Sequence, residues 1–114
     1  MKPKDVYFEV ETPLGVKIRT TKDYWNKIIT IKHPIIAKYE KQVKESLEKP
    51  TEIRKSKQDP KVHLYYKNIG NIYVCTVCDH VDSKSGYIIT AYLTKRIREG
   101  EKISKAFLRI NVEN

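Results

Sequence analysis

The hydrophobic period of this chain changes from helical to two at Lys49-Pro50, and that change constrains the fold more than any other feature. Before it, Ile35, Ile36, Tyr39, Val43 and Leu47 recur at steps of three and four, with Lys38, Lys41, Lys44, Glu45 and Glu48 on the other side. That is the stripe of an amphipathic helix. After it, residues 51–56, 62–67, 72–78 and 87–93 follow a period of two, separated by Asp59-Pro60, by Asn68-Ile69-Gly70-Asn71 and by a polar stretch over 79–86. Such segments read as strands, and short links between successive strands favour antiparallel neighbours. The expected class is therefore α+β, with N-terminal helices packed on one face of a four-stranded antiparallel meander sheet.

Thr20-Thr21-Lys22-Asp23 has the form of a capping box, and Trp25, Ile28 and Ile29 follow at helical spacing, which predicts a first helix over 21–31. His33-Pro34 ends it, because proline disfavours helical geometry in the residue before it, and Pro34 suits the first turn of a second helix. Residues 6–11 and 16–19 alternate around Thr12-Pro13-Leu14-Gly15, which reads as a short hairpin or an extended lead-in. The organisation expected is a lead-in over 1–20, one domain over 21–102, and a tail or extra strand over 103–114. A length of 114 residues suits one core rather than two.

Charge narrows the partner. Lys and Arg number 23 against 14 Asp and Glu, a formal +9 that favours a polyanion such as RNA, DNA or an anionic membrane. No apolar run approaches the roughly 18–20 residues that span a bilayer, and the first six residues lack the apolar core of a secretory signal. A cytoplasmic location without membrane association is expected. Residues 49–67 carry six basic against two acidic residues, and residues 95–109 repeat that ratio. A merely solvated face would mix the signs.

Side chains alternate between the faces of a strand. Ile53 lies opposite Arg54 and Ser56; Val62, Leu64 and Tyr66 lie opposite His63, Tyr65 and Lys67; Tyr87, Ile89, Ala91 and Leu93 lie opposite Ile88, Thr90 and Tyr92. With the more apolar set of each strand turned to the helices, the other face gathers Arg54, Ser56, His63, Tyr65, Lys67, Thr90 and Tyr92. Aromatic rings there would stack on unpaired bases, and cations would meet phosphates. Cys75 and Cys78 form a lone C-x-x-C, too few ligands for structural zinc, and their spacing puts them on opposite faces of one strand.

RNA carries its own nucleophile in the 2'-hydroxyl, so its cleavage needs proton transfer and charge stabilisation but no metal. Histidine suits the first task and arginine the second. His33 sits at the helix junction, His63 on a strand, and His80 in an expected loop. The chain has no Gly-rich phosphate loop, no H-E-x-x-H and no clustered pair of acids for two metals. Neither cofactor nor metal is expected.

The order of Tyr24-Trp25-x-x-Ile28, His33-Pro34, Leu47-x-x-Pro50-x-x-Ile53-Arg54-x-Ser56, Leu64-Tyr65-Tyr66, Tyr73-Val74-Cys75 and Gly86-Tyr87-Ile88-Ile89-Thr90-Ala91-Tyr92 resembles the phage-associated branch of the barnase, EndoU, colicin and RelE-like (BECR) nuclease superfamily. The resemblance covers about Tyr24 to Glu101. It implies N-terminal helices on a four-stranded antiparallel sheet and a metal-independent endoribonuclease, of the kind found as toxins or phage-borne effectors. Carried over by position, it points to His33, Arg54, Ser56, Thr90 and Tyr92 as catalytic residues, with Tyr65 as an addition. Lys55, Lys57, His63, Lys67, Lys95 and Arg96 would bind the RNA backbone. The charge also suits an acidic antitoxin or inhibitor protein. The alternative expectation is a non-catalytic RNA-binding or regulatory module using the same basic face.

Overall fold

A computed structural model describes residues 5–97 and 100–103. Thr21 is extended, and its Oγ1 accepts the Tyr24 amide at 3.0 Å, which starts α1 (Lys22–Lys27). Four β-branched residues, Ile28 to Ile31, then crowd the helix at χ1. The coil widens to a π-helical turn over Ile28–Lys32, and the His33 amide donates to the Ile28 carbonyl five residues back at 2.8 Å. Pro34 opens a 3-10 turn over Pro34–Tyr39, which passes into α2 (Glu40–Glu48). The expected first helix is thus shorter and the second begins less regularly, but both breaks fall where His33-Pro34 and Lys49-Pro50 place them.

The strands are β1 (Val6–Glu11), β2 (Lys17–Thr21), β3 (Glu52–Lys55), β4 (Val62–Asn68), β5 (Tyr73–His80), β6 (Ser85–Thr94) and β7 (Glu101–Lys102). They form one sheet in the order β1-β2-β6-β5-β4-β3-β7. The four-stranded antiparallel meander is present as β3 to β6, yet it is the middle of a seven-stranded mixed sheet. The N-terminal hairpin extends that sheet, because β2 runs parallel to β6 with Ile18 opposite Gly86. Only Ile103 of the segment expected as a tail or extra strand, 103–114, is described; the rest lies outside the described residues.

One face of the sheet carries the helices. Ile18, Trp25, Ile28, Ile36, Val43, Leu47, Ile53, Tyr65, Val74, Cys78, Ile88 and Ala91 are buried together there. Phe8 of β1 meets Trp25 edge-on, ring centroids 5.6 Å apart, which fastens the hairpin to α1. Ser46 of α2 and Thr76 of β5 share a buried hydrogen bond at 2.7 Å, and the Ser46 hydroxyl also donates to the Val43 carbonyl. Two hydroxyls thus satisfy each other where either alone would cost about 1–3 kcal/mol.

The pleat of β4 runs opposite to the sequence expectation. Tyr65 is fully buried on the helix side, with His63 and Lys67 on the same face, while Val62, Leu64 and Tyr66 face away. Both sets of this strand are apolar enough to be buried, so local hydrophobicity does not decide between them. Partners for the phenol decide it: the Tyr65 hydroxyl donates to Thr12 Oγ1 at 3.2 Å and meets His80 Nε2 at 2.9 Å. In β6 the alternation read from sequence is right for Thr90 to Leu93 and inverted for Ile88. Val77 pairs with Thr90 but Cys78 with Ile88, a bulge that changes the phase. Cys75 and Cys78 are not joined by a disulfide; both are buried, on opposite faces.

The hairpin's seat on β6 depends on Gly86. A Cβ there would lie 2.3 Å from the Asp79 carbonyl oxygen and 2.9 Å from Ile18 Cδ1. Gly86→Ala is expected to destabilise the fold by roughly 2–3 kcal/mol, read by chemical denaturation.

Candidate active site

The face turned away from the helices holds a cavity of about 380 Å3 lined by His33, Ser56, Val62, Leu64, Val77, Thr90 and Tyr92. His33 reaches it because the π-helical turn is tied to β6. Tyr24 donates its hydroxyl hydrogen to the Ile89 carbonyl at 2.6 Å, and the Lys32 ammonium donates to the same carbonyl and to the Tyr24 oxygen. Ile89 precedes Thr90, so these bonds bring the helix junction to the cavity rim. The imidazole of His33 then lies 5.7 Å from the Tyr92 ring, centroid to centroid, at a 42° tilt. Ile31 and Ile35, 75% and 49% exposed, flank His33.

Ser56 follows β3, and its amide donates to the Val62 carbonyl at 2.9 Å, which closes the 56–62 loop beside the cavity. The Ser56 hydroxyl and Gln58 exchange hydrogen bonds at 3.2 Å. The floor consists of Val62, Leu64 and Val77. Beside it, buried Leu64, Tyr66 and Cys75 pack with Tyr73, Tyr92 and Ile97 in a second, smaller core. The expected polar, aromatic face is thus an apolar floor with a polar rim, as the inverted pleat of β4 requires.

Thr90 stands out chemically. Its Oγ1 is buried, without a hydrogen-bond partner among the described residues. An unsatisfied buried hydroxyl costs about 1–3 kcal/mol, and a ligand group reaching it would recover that cost.

Of the six residues proposed as catalytic, His33, Ser56, Thr90 and Tyr92 line one cavity. Arg54 lies on the same face of β3, but its guanidinium turns back to Glu52, Nε to Oε2 at 2.6 Å, and donates to the Gly100 carbonyl at 3.2 Å. Tyr65 lies on the opposite side of the sheet, where burial raises its phenol pKa. Among the proposed RNA contacts, Lys57, Lys95 and Arg96 are exposed in segments that follow Ser56 and β6. Lys55 and His63 are paired in register on the helix side, and Lys67 donates to the Lys49 carbonyl there at 3.0 Å. His80, expected in a loop, ends β5 and stacks on His63.

Sequence reasoning did not single out Val62, Leu64 and Val77 as site residues, since an apolar floor looks like any core strand. The second imidazole cluster was equally hidden: His63 and His80 lie 17 positions apart in sequence and meet only through the β4–β5 register.

Comparisons with family models, with curated proteins and with solved structures give no match. Among the described residues, no helix is long and apolar enough to cross a membrane.

Thr90→Val replaces the orphaned hydroxyl with a methyl group of similar size. The variant is expected to match or exceed the parent in stability by up to about 1 kcal/mol in urea denaturation. A loss of that size would mean the hydroxyl has a partner.

Proposed function

We propose that this protein is a small metal-independent endoribonuclease that binds an unpaired segment of RNA across the His33 cavity. The observation that carries the reading is the convergence of His33, Ser56, Thr90 and Tyr92 on one cavity, with the Thr90 hydroxyl lacking a partner. The resemblance in motif order and the excess of basic charge support it.

In this reading the RNA 2'-oxygen attacks the adjacent phosphorus while the bond from phosphorus to the 5'-oxygen breaks. The products are a 2',3'-cyclic phosphate and a free 5'-hydroxyl. His33 removes the 2'-hydroxyl proton or delivers the proton that the 5'-oxygen needs, with water making the other transfer, because an imidazole can both take and give a proton. The hydroxyls of Ser56, Thr90 and Tyr92 hold the phosphate oxygens as charge builds on them. The apolar floor of Val62, Leu64 and Val77 accepts the flat face of a base. Lys57, Lys95 and Arg96 track neighbouring phosphates.

Arg54 is reassigned within this proposal. Its guanidinium is already paired with Glu52, whose carboxylate offsets the charge that it could offer a phosphate. It instead holds Glu52 and the Gly100 carbonyl on that face of β3, and the hydroxyls carry the contact. The same observation favours the second reading, a non-catalytic RNA-binding module, because an arginine already paired with a carboxylate stabilises a phosphorane less well. An acidic inhibitor protein fits the +9 charge under either reading.

RNA incubated with saturating protein in EDTA separates the two. Cleavage is expected, with His33→Ala slower by about 10²-fold or more and Arg54→Ala affected far less. RNA bound but intact would establish the module, and cleavage unchanged in His33→Ala would remove the acid-base role.

A further inference from the structure

A second cluster of titratable groups lies on the other side of the sheet from the cavity. The imidazoles of His63 and His80 are stacked, ring centroids 3.7 Å apart and planes within 7° of parallel. His80 Nε2 meets the Tyr65 hydroxyl, which in turn donates to Thr12. Thr12 is the hinge of the β1–β2 turn: its amide donates to the Val16 carbonyl, and its carbonyl accepts the Gly15 amide, both at 2.9 Å. The imidazole stack therefore stands directly behind the contact that seats this turn on the sheet.

Parallel planes 3.7 Å apart cannot both contain one metal ion, and no third His, Cys, Asp or Glu joins the pair as a ligand set among the described residues. Proton binding is the chemistry that remains open to it. Burial and the nearby cation work against a charged imidazole. Lys55 faces His63 from β3, and the Cys78 thiol lies opposite His63 on β5, buried and held neutral by that burial. The Lys61 carbonyl, 3.3 Å from His63 Nδ1, acts the other way and favours the charged ring, but less than burial opposes it. The nearby carboxylates are engaged elsewhere: Asp79 accepts from the Tyr87 hydroxyl at 3.3 Å, and Asp82 accepts the Lys84 and Ser85 amides. On β6, Gly86 pairs with His80 and offers no side chain.

We propose that the His63–His80 stack is a proton-operated latch: neutral, it seats Tyr65 against Thr12 and closes the β1–β2 turn on the sheet; protonated, it parts and releases that turn. Two cations cannot share a half-buried stack at this separation, so protonation drives the rings apart. Burial lowers the His80 pKa to about 4, with His63 adding to the effect, and burial likewise lowers that of His63. The sign follows from linkage. An unfolded chain takes up these protons near the ordinary imidazole value of about 6.5, before the folded chain does, so the latch is at full strength above that pH and weakens as pH falls toward 4.

Amide hydrogen exchange, corrected for intrinsic rates, tests this at about pH 7 and about pH 5. Protection at Thr12, Gly15 and Lys17 is expected to fall about tenfold or more relative to Thr76 and Val77 in the sheet centre. His80→Gln keeps a hydrogen-bonding group for Tyr65 but takes no proton, and the differential loss should vanish in it. Imidazole titration of the unaltered protein by NMR gives a readout that needs no variant, with His80 expected to change well below pH 6. The latch is overturned if both rings titrate at the ordinary value, if protection falls equally throughout the sheet, or if His80→Gln retains the differential loss.

Discussion

The burial of Tyr65 is the constraint on which the rest of the structure depends. A phenol can enter a core only if its hydroxyl is satisfied, and here Thr12 and His80 meet that condition from two other segments. Once Tyr65 faces the helices, the pleat commits Val62 and Leu64 to the opposite face, and with Val77 they floor the cavity. A strand slipped by one position would fill that cavity with His63 and Tyr65. The site therefore owes its apolar floor to a hydrogen bond made on the other side of the sheet.

The rim of the site is set by irregularity rather than by regular elements. A continued α-helix through Ile31 would carry His33 round by a different angle. The widened turn, held to the Ile89 carbonyl by Tyr24 and Lys32, directs it over Tyr92 instead. Bulges and π turns are frequent at functional sites because they re-aim single side chains while leaving the surrounding framework intact. Here one of each lies beside the same stretch of β6, with Val77 and Cys78 bracketing the bulge.

Much of the fold was legible in the sequence. The meander strands and the two helix breaks stand close to where period and proline put them, since both signals are local. The face of β4 was not legible, because Val62, Leu64 and Tyr66 compete closely with Tyr65 for burial, and partners remote in sequence settle the contest. The reach of the N-terminal hairpin was hidden for a similar reason: the β2–β6 pairing leaves no mark on the residues that make it. Within the site, His33, Ser56, Thr90 and Tyr92 could be grouped from alternation and position. The engagement of Arg54 with Glu52 could not, since a pair two positions apart on a strand fits a solvated surface equally well.

The parallel pairing of β2 with β6 also governs when the molecule can become itself. Ile18 meets Gly86, so the hairpin has no β6 to dock on until synthesis has passed Gly86. Closing so long a loop is not expensive in itself, since each doubling of its length costs only about 0.6 kcal/mol, but contacts this distant in sequence form late. Until β6 arrives, the sheet to which Tyr24 and Trp25 fasten is incomplete, and the His33 junction has no carbonyl at Ile89 to hold it. The cavity is thus a late feature to be assembled, and a growing chain would carry the residues that line it apart from one another until Thr90 and Tyr92 had been made.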